Sequence, residues 1–232
     1  MQRFLIPALL ATAAFALAQG AAADTTPDLA GVYRSIPNGT TLPGGLKNSG
    51  SPSEISLLPK AAVQMKAIDL KDDPLRMCQP LGEFRMMARD GVTIELAPAT
   101  GMIAMLFENT ALGVMRIIYL NRGHVAARAN GPEPGIEPGG TWLGDSVGRW
   151  EGQTLVVDTT GFNTRTWLND AGAQHSEALH LTERIRSVLG GQYLEYKMTV
   201  EDPNALAKPY TYARYFKKLD REIEDDICVD AK

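Results

Sequence analysis

The chain has 232 residues, 44% of them apolar, and carries 23 basic against 27 acidic side chains for a net charge of −4. This mildly acidic balance argues against nucleic acid and against an anionic membrane surface as partners. The length suits one domain with a sizeable core.

Residues 1–23 join Arg3 to an apolar run and then to small residues, the pattern of a secretory signal peptide. Cleavage could follow Ala18 or Ala23, and the Ala-x-Ala site ending at Ala23 is the better match. The expected mature domain is 24–232, periplasmic or secreted. No later apolar stretch is long enough to span a bilayer, so no membrane span is expected after signal cleavage. An exported chain folds in an oxidising space, so Cys78 and Cys228 are expected to form one disulfide; two free thiols are the alternative.

Asp28–Ser35 alternates like a first strand. Residues 36–53 are rich in Gly, Pro, Asn and Ser and predict a loop. Ser56–Leu70 is the best helix: Leu58, Ala62, Met65 and Ile68 fall near one helical face, and Pro59 fits the first turn, where it forfeits no helical hydrogen bond. Beyond Cys78 the pattern turns to strands. Phe84–Ala88, Thr93–Leu96, Met102–Asn109 and Val114–Asn121 are short runs separated by turn residues, with Asp90-Gly91 and Thr100-Gly101 as hairpin signals. Residues 129–140 hold too much Gly and Pro for a strand or helix. Gln153–Thr160, Ala178–Ser187, Tyr193–Val200 and Tyr210–Leu219 complete the series.

About eight or nine strands with short turns and one helix predict an all-β domain with antiparallel pairing. A sheet of that size removes its exposed edges by closing. The expected fold is a single antiparallel lipocalin-like β-barrel with one short N-terminal helix, and a β-sandwich is the alternative.

Side chains alternate across a strand, so each run divides into two faces. Met102, Ala104, Leu106 and Glu108 share one. Val114, Arg116, Ile118 and Leu120 share another, as do Val156, Asp158 and Thr160, and Leu179, Leu181, Glu183 and Ile185. Glu108, Arg116, Asp158 and Glu183 therefore interrupt mainly apolar faces. Burying an unpaired carboxylate costs several kcal/mol, on the order of a buried ion's desolvation penalty, so these groups must be paired, protonated or solvated. The expectation is that they converge on a pocket, with Arg116 holding a carboxylate in bidentate fashion. The plainer reading places them at strand ends or on an outer face.

His175 and His180 are five residues apart and do not make the H-E-x-x-H zinc helix. No cluster has convincing ligand spacing, so neither metal nor other cofactor is expected. His175 is expected in a loop at the barrel mouth and His180 on a strand, as a proton carrier or as a structural histidine. Gly144-Asp145-Ser146-Val147-Gly148 matches the nucleophile-elbow string, but the next residues, Arg149-Trp150-Glu151-Gly152, read as strand and turn rather than helix. Tyr119, Trp167 and Tyr212 lie on or beside strands with charge interruptions and are candidate pocket walls.

The stretch GTWLGDSVGRWEGQTLVVDTTGFNTRTWL, with HSEALHLTERIR after it, resembles a large family of exported bacterial proteins. DDPLRMCQPLGEFRMM, RIIYLNRGH and the region from Asp202-Pro203 to Lys208-Pro209 carry the same resemblance, which spans most of 70–228. That family is similar to lipocalin-like barrels, a group that includes carriers and metal-free phenolic acid decarboxylases. The resemblance implies that Arg85, Glu108, Arg116, Tyr119, His124, Trp167, His175, Glu177, His180, Glu183 and Arg184 belong to the recurring pattern. Val125 departs from it by standing after His124 where proline is usual.

Two functions from different classes fit these features. One is an exported cofactor-free lyase that acts on a small aromatic acid, phenolic and lignin-type, by proton transfer as a decarboxylase does. Its catalytic set would be Glu183 or His180 as proton carrier, Arg116 as anion holder and Tyr119 as orienting phenol. Glu108, Asp158, Trp167, His175, Tyr212 and Arg85 would line the substrate. The other is a periplasmic carrier of a small hydrophobic molecule, with the same cavity and no proton carrier.

Overall fold

The computed structural model describes residues 27–108, 115–125 and 140–224. The expected signal peptide, most of the 129–140 loop and Cys228 lie outside the described residues. Cys78 ends a 3-10 turn in the left-handed conformation and is not a free thiol.

Nine strands close into one barrel in chain order. They are β1 (Gly31–Ser35), β2 (Thr93–Ala99), β3 (Met102–Glu108), β4 (Met115–Tyr119), β5 (Asp145–Glu151), β6 (Thr154–Thr160), β7 (His180–Val188), β8 (Tyr193–Glu201) and β9 (Tyr210–Leu219). The ring closes where β1 meets β9, with Tyr33 opposite Lys218. This is the expected all-β barrel, and no sandwich forms. One junction departs from the antiparallel expectation. Strands that alternate in direction close a ring only when their number is even, so nine strands require a parallel pair. It falls between β4 and β5, where only Ile118↔Ser146 and Tyr119↔Val147 are in register. This is the weakest seam in the wall.

Alternation fills the interior. Met105 and Phe107, Leu155 and Val157, Leu181 and Ile185 point inward and are fully or almost fully buried. Each such side chain contributes roughly 1.5–3 kcal/mol through removal from water.

The helix expected over Ser56–Leu70 forms as α1 (Pro59–Ala67), with Pro59 in its first turn. The run Phe84–Ala88, expected as a strand, is not one. It contains most of a single helical turn, α2 (Glu83–Met86), whose four residues are all buried. Gly82 precedes it at φ +81°, and a Cβ there would lie 2.8 Å from the Thr166 side chain. The apolar run lacks an adjacent strand edge to pair with and is held by tertiary contacts instead. The Tyr212 hydroxyl donates to the Phe84 carbonyl at 2.8 Å, and Arg214 Nε donates to the Ala88 carbonyl at 3.2 Å. Those contacts seat α2 against inward side chains of β9.

Candidate functional site

Two charged clusters lie on opposite sides of the barrel wall. The inner one is centred on Arg116 of β4, which is 2% exposed. Its Nη1 donates to Glu183 Oε1 at 2.8 Å, and its Nη2 also donates to Glu183 Oε2. The same Nη1 lies 2.9 Å from Glu83 Oε1. Nε donates to Ser146 Oγ at 2.8 Å and Nη2 to Thr159 Oγ1 at 2.7 Å. The Tyr196 hydroxyl meets Glu183 Oε1 and Glu83 Oε1. All these partners are buried.

Arg116 therefore holds a carboxylate in bidentate fashion, the one it holds is Glu183, and a second carboxylate joins it from α2. Burial pushes Glu83 up to about 7; Arg116 opposes that shift and Glu183 adds to it. Glu83 Oε2 has no hydrogen-bond partner among the described residues. Burial works against the charge of Arg116, but Glu183 and Glu83 hold its pKa well above the ordinary arginine value. With one proton on the glutamate pair, the cluster is electrically neutral. Ser146 belongs to this buried set on strand β5, with no helix after it, which is no nucleophile elbow.

Asp158 and Glu108, expected to converge with Arg116 and Glu183, do not. On β6 the inward residues are Leu155, Val157 and Thr159, and Asp158 faces out. On β3 the inward residues are Ile103, Met105 and Phe107, and Glu108 lies on the other face. Glu108 is nevertheless only 3% exposed, because residues after β9 cover it. Arg221 grips it with two donors, at 3.0 and 2.7 Å, and holds its carboxyl below the usual range.

The outer cluster is built on Asp158. His124 Nε2 meets Asp158 Oδ1 at 2.7 Å, and His180 Nε2 meets Asp158 Oδ2 at 2.5 Å. His124 Nδ1 meets Asp145 Oδ2 at 3.0 Å, while His180 Nδ1 lies 3.4 Å from Glu201 Oε2. Arg122 pairs with Asp145. Partial burial disfavours the His124 charge, but Asp158 and Asp145 raise its pKa overall. Burial likewise opposes ionised Asp158, and His180 and His124 outweigh it to lower its pKa. Asp145 is lowered too, against burial, by Arg122 and His124.

A cavity of about 470 Å³ opens beside this cluster at the β4–β5 seam, lined among others by Tyr119, Arg122, Trp142, Leu143 and Asp145. Arg116 and Ser146 border it from the inner side. The Arg122 guanidinium lies 3.8 Å from the centre of the Tyr119 ring, and that of Arg165 lies 5.7 Å from the Trp142 ring. Gly140, at φ +95°, lets this wall press on β6's exit: a Cβ there would lie 2.3 Å from the Gly161 carbonyl oxygen.

The remaining candidates are dispersed. Tyr119 faces outward, away from Glu183 and His180 alike in its contacts, so the four expected catalytic residues do not form one constellation. His180 belongs to the outer cluster. Tyr212 is inside, its phenol raised well above its ordinary pKa by burial. Trp167 is buried beneath Arg85, at 5.8 Å, and Arg85 clamps Asp73 and Asp170. His175 is a loop histidine: Nε2 meets Thr166 Oγ1 at 2.7 Å, Nδ1 meets the Ser176 carbonyl at 3.0 Å, and burial lowers its pKa.

The sequence reading does not single out Glu83, Tyr196 or Asp145. Tyr196 was legible, since it alternates with Leu194 and Met198 on an inward face. Glu83 carried no periodic signal. Among the described residues, no group of three or more His, Cys, Asp and Glu side chains is arranged to hold a metal ion. No protein-family model matches this chain, and no curated protein matches it.

Proposed function

We propose that this chain is an exported, cofactor-free lyase that binds a small aromatic acid at the β4–β5 seam and acts on it by proton transfer, as a decarboxylase does. The observation that carries the reading is the cavity of about 470 Å³ whose wall combines the Tyr119 and Trp142 rings with Arg122 and Asp145. Its size falls within the range of small-molecule sites, about 300–1,000 Å³. Aromatic faces suit a planar ring, and a guanidinium suits its carboxylate. The resemblance to exported proteins and a Cys78–Cys228 disulfide belong to the same proposal.

A carrier is the second reading. It is favoured by the state of the inner cluster, where Arg116 and Glu183 spend their hydrogen bonds on each other and on buried neighbours. A substrate would have to displace those partners to use them.

Titrating the mature protein with para-hydroxycinnamate, monitored by tryptophan fluorescence and carbon dioxide release, tests both. Saturable quenching that Tyr119→Ala weakens, with carbon dioxide evolved, is the expected result. Quenching with the acid recovered intact selects the carrier. Absence of binding removes the pocket from both readings.

A further inference from the structure

His124 stands between two carboxylates, with Nδ1 on Asp145 and Nε2 on Asp158. A neutral imidazole has one donor and one acceptor nitrogen, whereas an ionised carboxylate only accepts. Both contacts are satisfied at once only by the imidazolium, so the geometry loads His124 with a proton. The charged groups that face this ring or its partners come from every neighbouring element: Arg122 from its own segment, Asp145 on β5, Asp158 on β6, His180 on β7 and Glu201 on β8. Asp145 also lines the seam cavity, and His124 is 31% exposed, so the ring has the ligand's wall on one side and solvent on the other.

We propose that His124 is the proton donor for an acid bound at the seam, that Asp145 hands the proton into the cavity, and that Asp158 is the positioning residue that keeps His124 charged. The inference rests on the pocket reading given above and moves the chemistry from Glu183, inside the barrel, to the outer face. In the step, the N–H bond of His124 Nδ1 breaks as an O–H bond forms on Asp145 Oδ2. That O–H turns toward the cavity and gives its proton to the ligand carbon that bore the carboxylate. The carbon–carboxylate bond breaks, its electron pair stays on that carbon to form the new C–H bond, and carbon dioxide leaves. His124 is left neutral and takes its replacement proton from solvent. No oxidant, reductant or second substrate is needed.

Two measurements on the mature protein decide this. The first tracks the histidine ring protons by NMR across pH in the wild type and in Asp158→Asn. The His124 signal is expected to titrate above the ordinary value of about 6.5 and to move down in the variant. A His124 titration that Asp158→Asn leaves in place overturns the positioning role. The second compares para-hydroxycinnamate binding and turnover in the wild type and in His124→Gln. Binding is expected to persist while turnover falls about 100-fold or more, the usual contribution of a positioned general acid, with imidazole in the buffer restoring part of it. Turnover of His124→Gln at the wild-type rate overturns the donor role. Absence of binding in the wild type overturns the pocket reading and the delivery step together, while the NMR arm still decides the His124–Asp158 coupling.

Discussion

The inner and outer clusters use similar groups to different ends. Inside, Arg116 meets two glutamates, a serine and a threonine, and Tyr196 bridges the two glutamates, with almost no solvent. Outside, two histidines and three carboxylates alternate along the β5–β8 face at roughly one-fifth to one-half exposure. Desolvation separates them. A charge inside the barrel must be matched at once by an opposite charge or by a proton, so the inner cluster fixes structure. A charge on the rim can gain and lose protons against solvent at little cost, which suits chemistry.

The largest expected effect comes from breaking the inner pair. Arg116→Met leaves Glu183 buried without its cation and should cost about 3–5 kcal/mol in urea unfolding. Arg122→Ala on the rim should cost under about 1 kcal/mol. Equal losses would erase the distinction.

The second test uses pH. The folded pKa of Glu83 is about 7, above its ordinary 4.5, so the folded state holds a proton that the unfolded state releases. Its contribution is fully present below pH 4.5 and is lost as pH rises to about 7, by on the order of 3 kcal/mol. Glu83→Gln should flatten that part of the stability profile. A slope unchanged in the variant would mean that the proton is not on Glu83.

Tyr196→Phe removes the hydroxyl shared by Glu183 and Glu83 and should cost about 1–3 kcal/mol, read by thermal unfolding. The smallest effect concerns salt. At 0.1 M the screening length is about 10 Å, so added salt should lower the raised pKa of His124 toward its ordinary value while leaving the Glu83-linked step in place. NMR titration at two ionic strengths checks it.

Much of this was legible from alternation alone. Arg116 and Glu183 lie on apolar faces in the sequence, and those faces are indeed the inner ones. The same reasoning failed for Asp158 and Glu108, for two different reasons. Thr154–Thr160 is apolar on both sides around Val156 and Val157, so its pattern does not say which side is inward. Glu108 is buried on the outer face by Arg221 and its neighbours, far away in sequence. His124 lies within the RIIYLNRGH stretch of the resemblance, but its carboxylates come from strands that only the closed barrel brings beside it.

The sequence by itself determined the all-β class, eight of the nine strands, most of the turns and the Pro59 helix start, with barrel and sandwich both still open. These depend on local geometry: a period of two, fixed φ at proline, and turn residues between apolar runs. Tertiary structure decided which face of each strand is inside, where an odd ring must place its parallel seam, and that Glu83 arrives on a helical turn. Those outcomes depend on closure and on segments packed from a distance, and alternation within one strand carries no information about either.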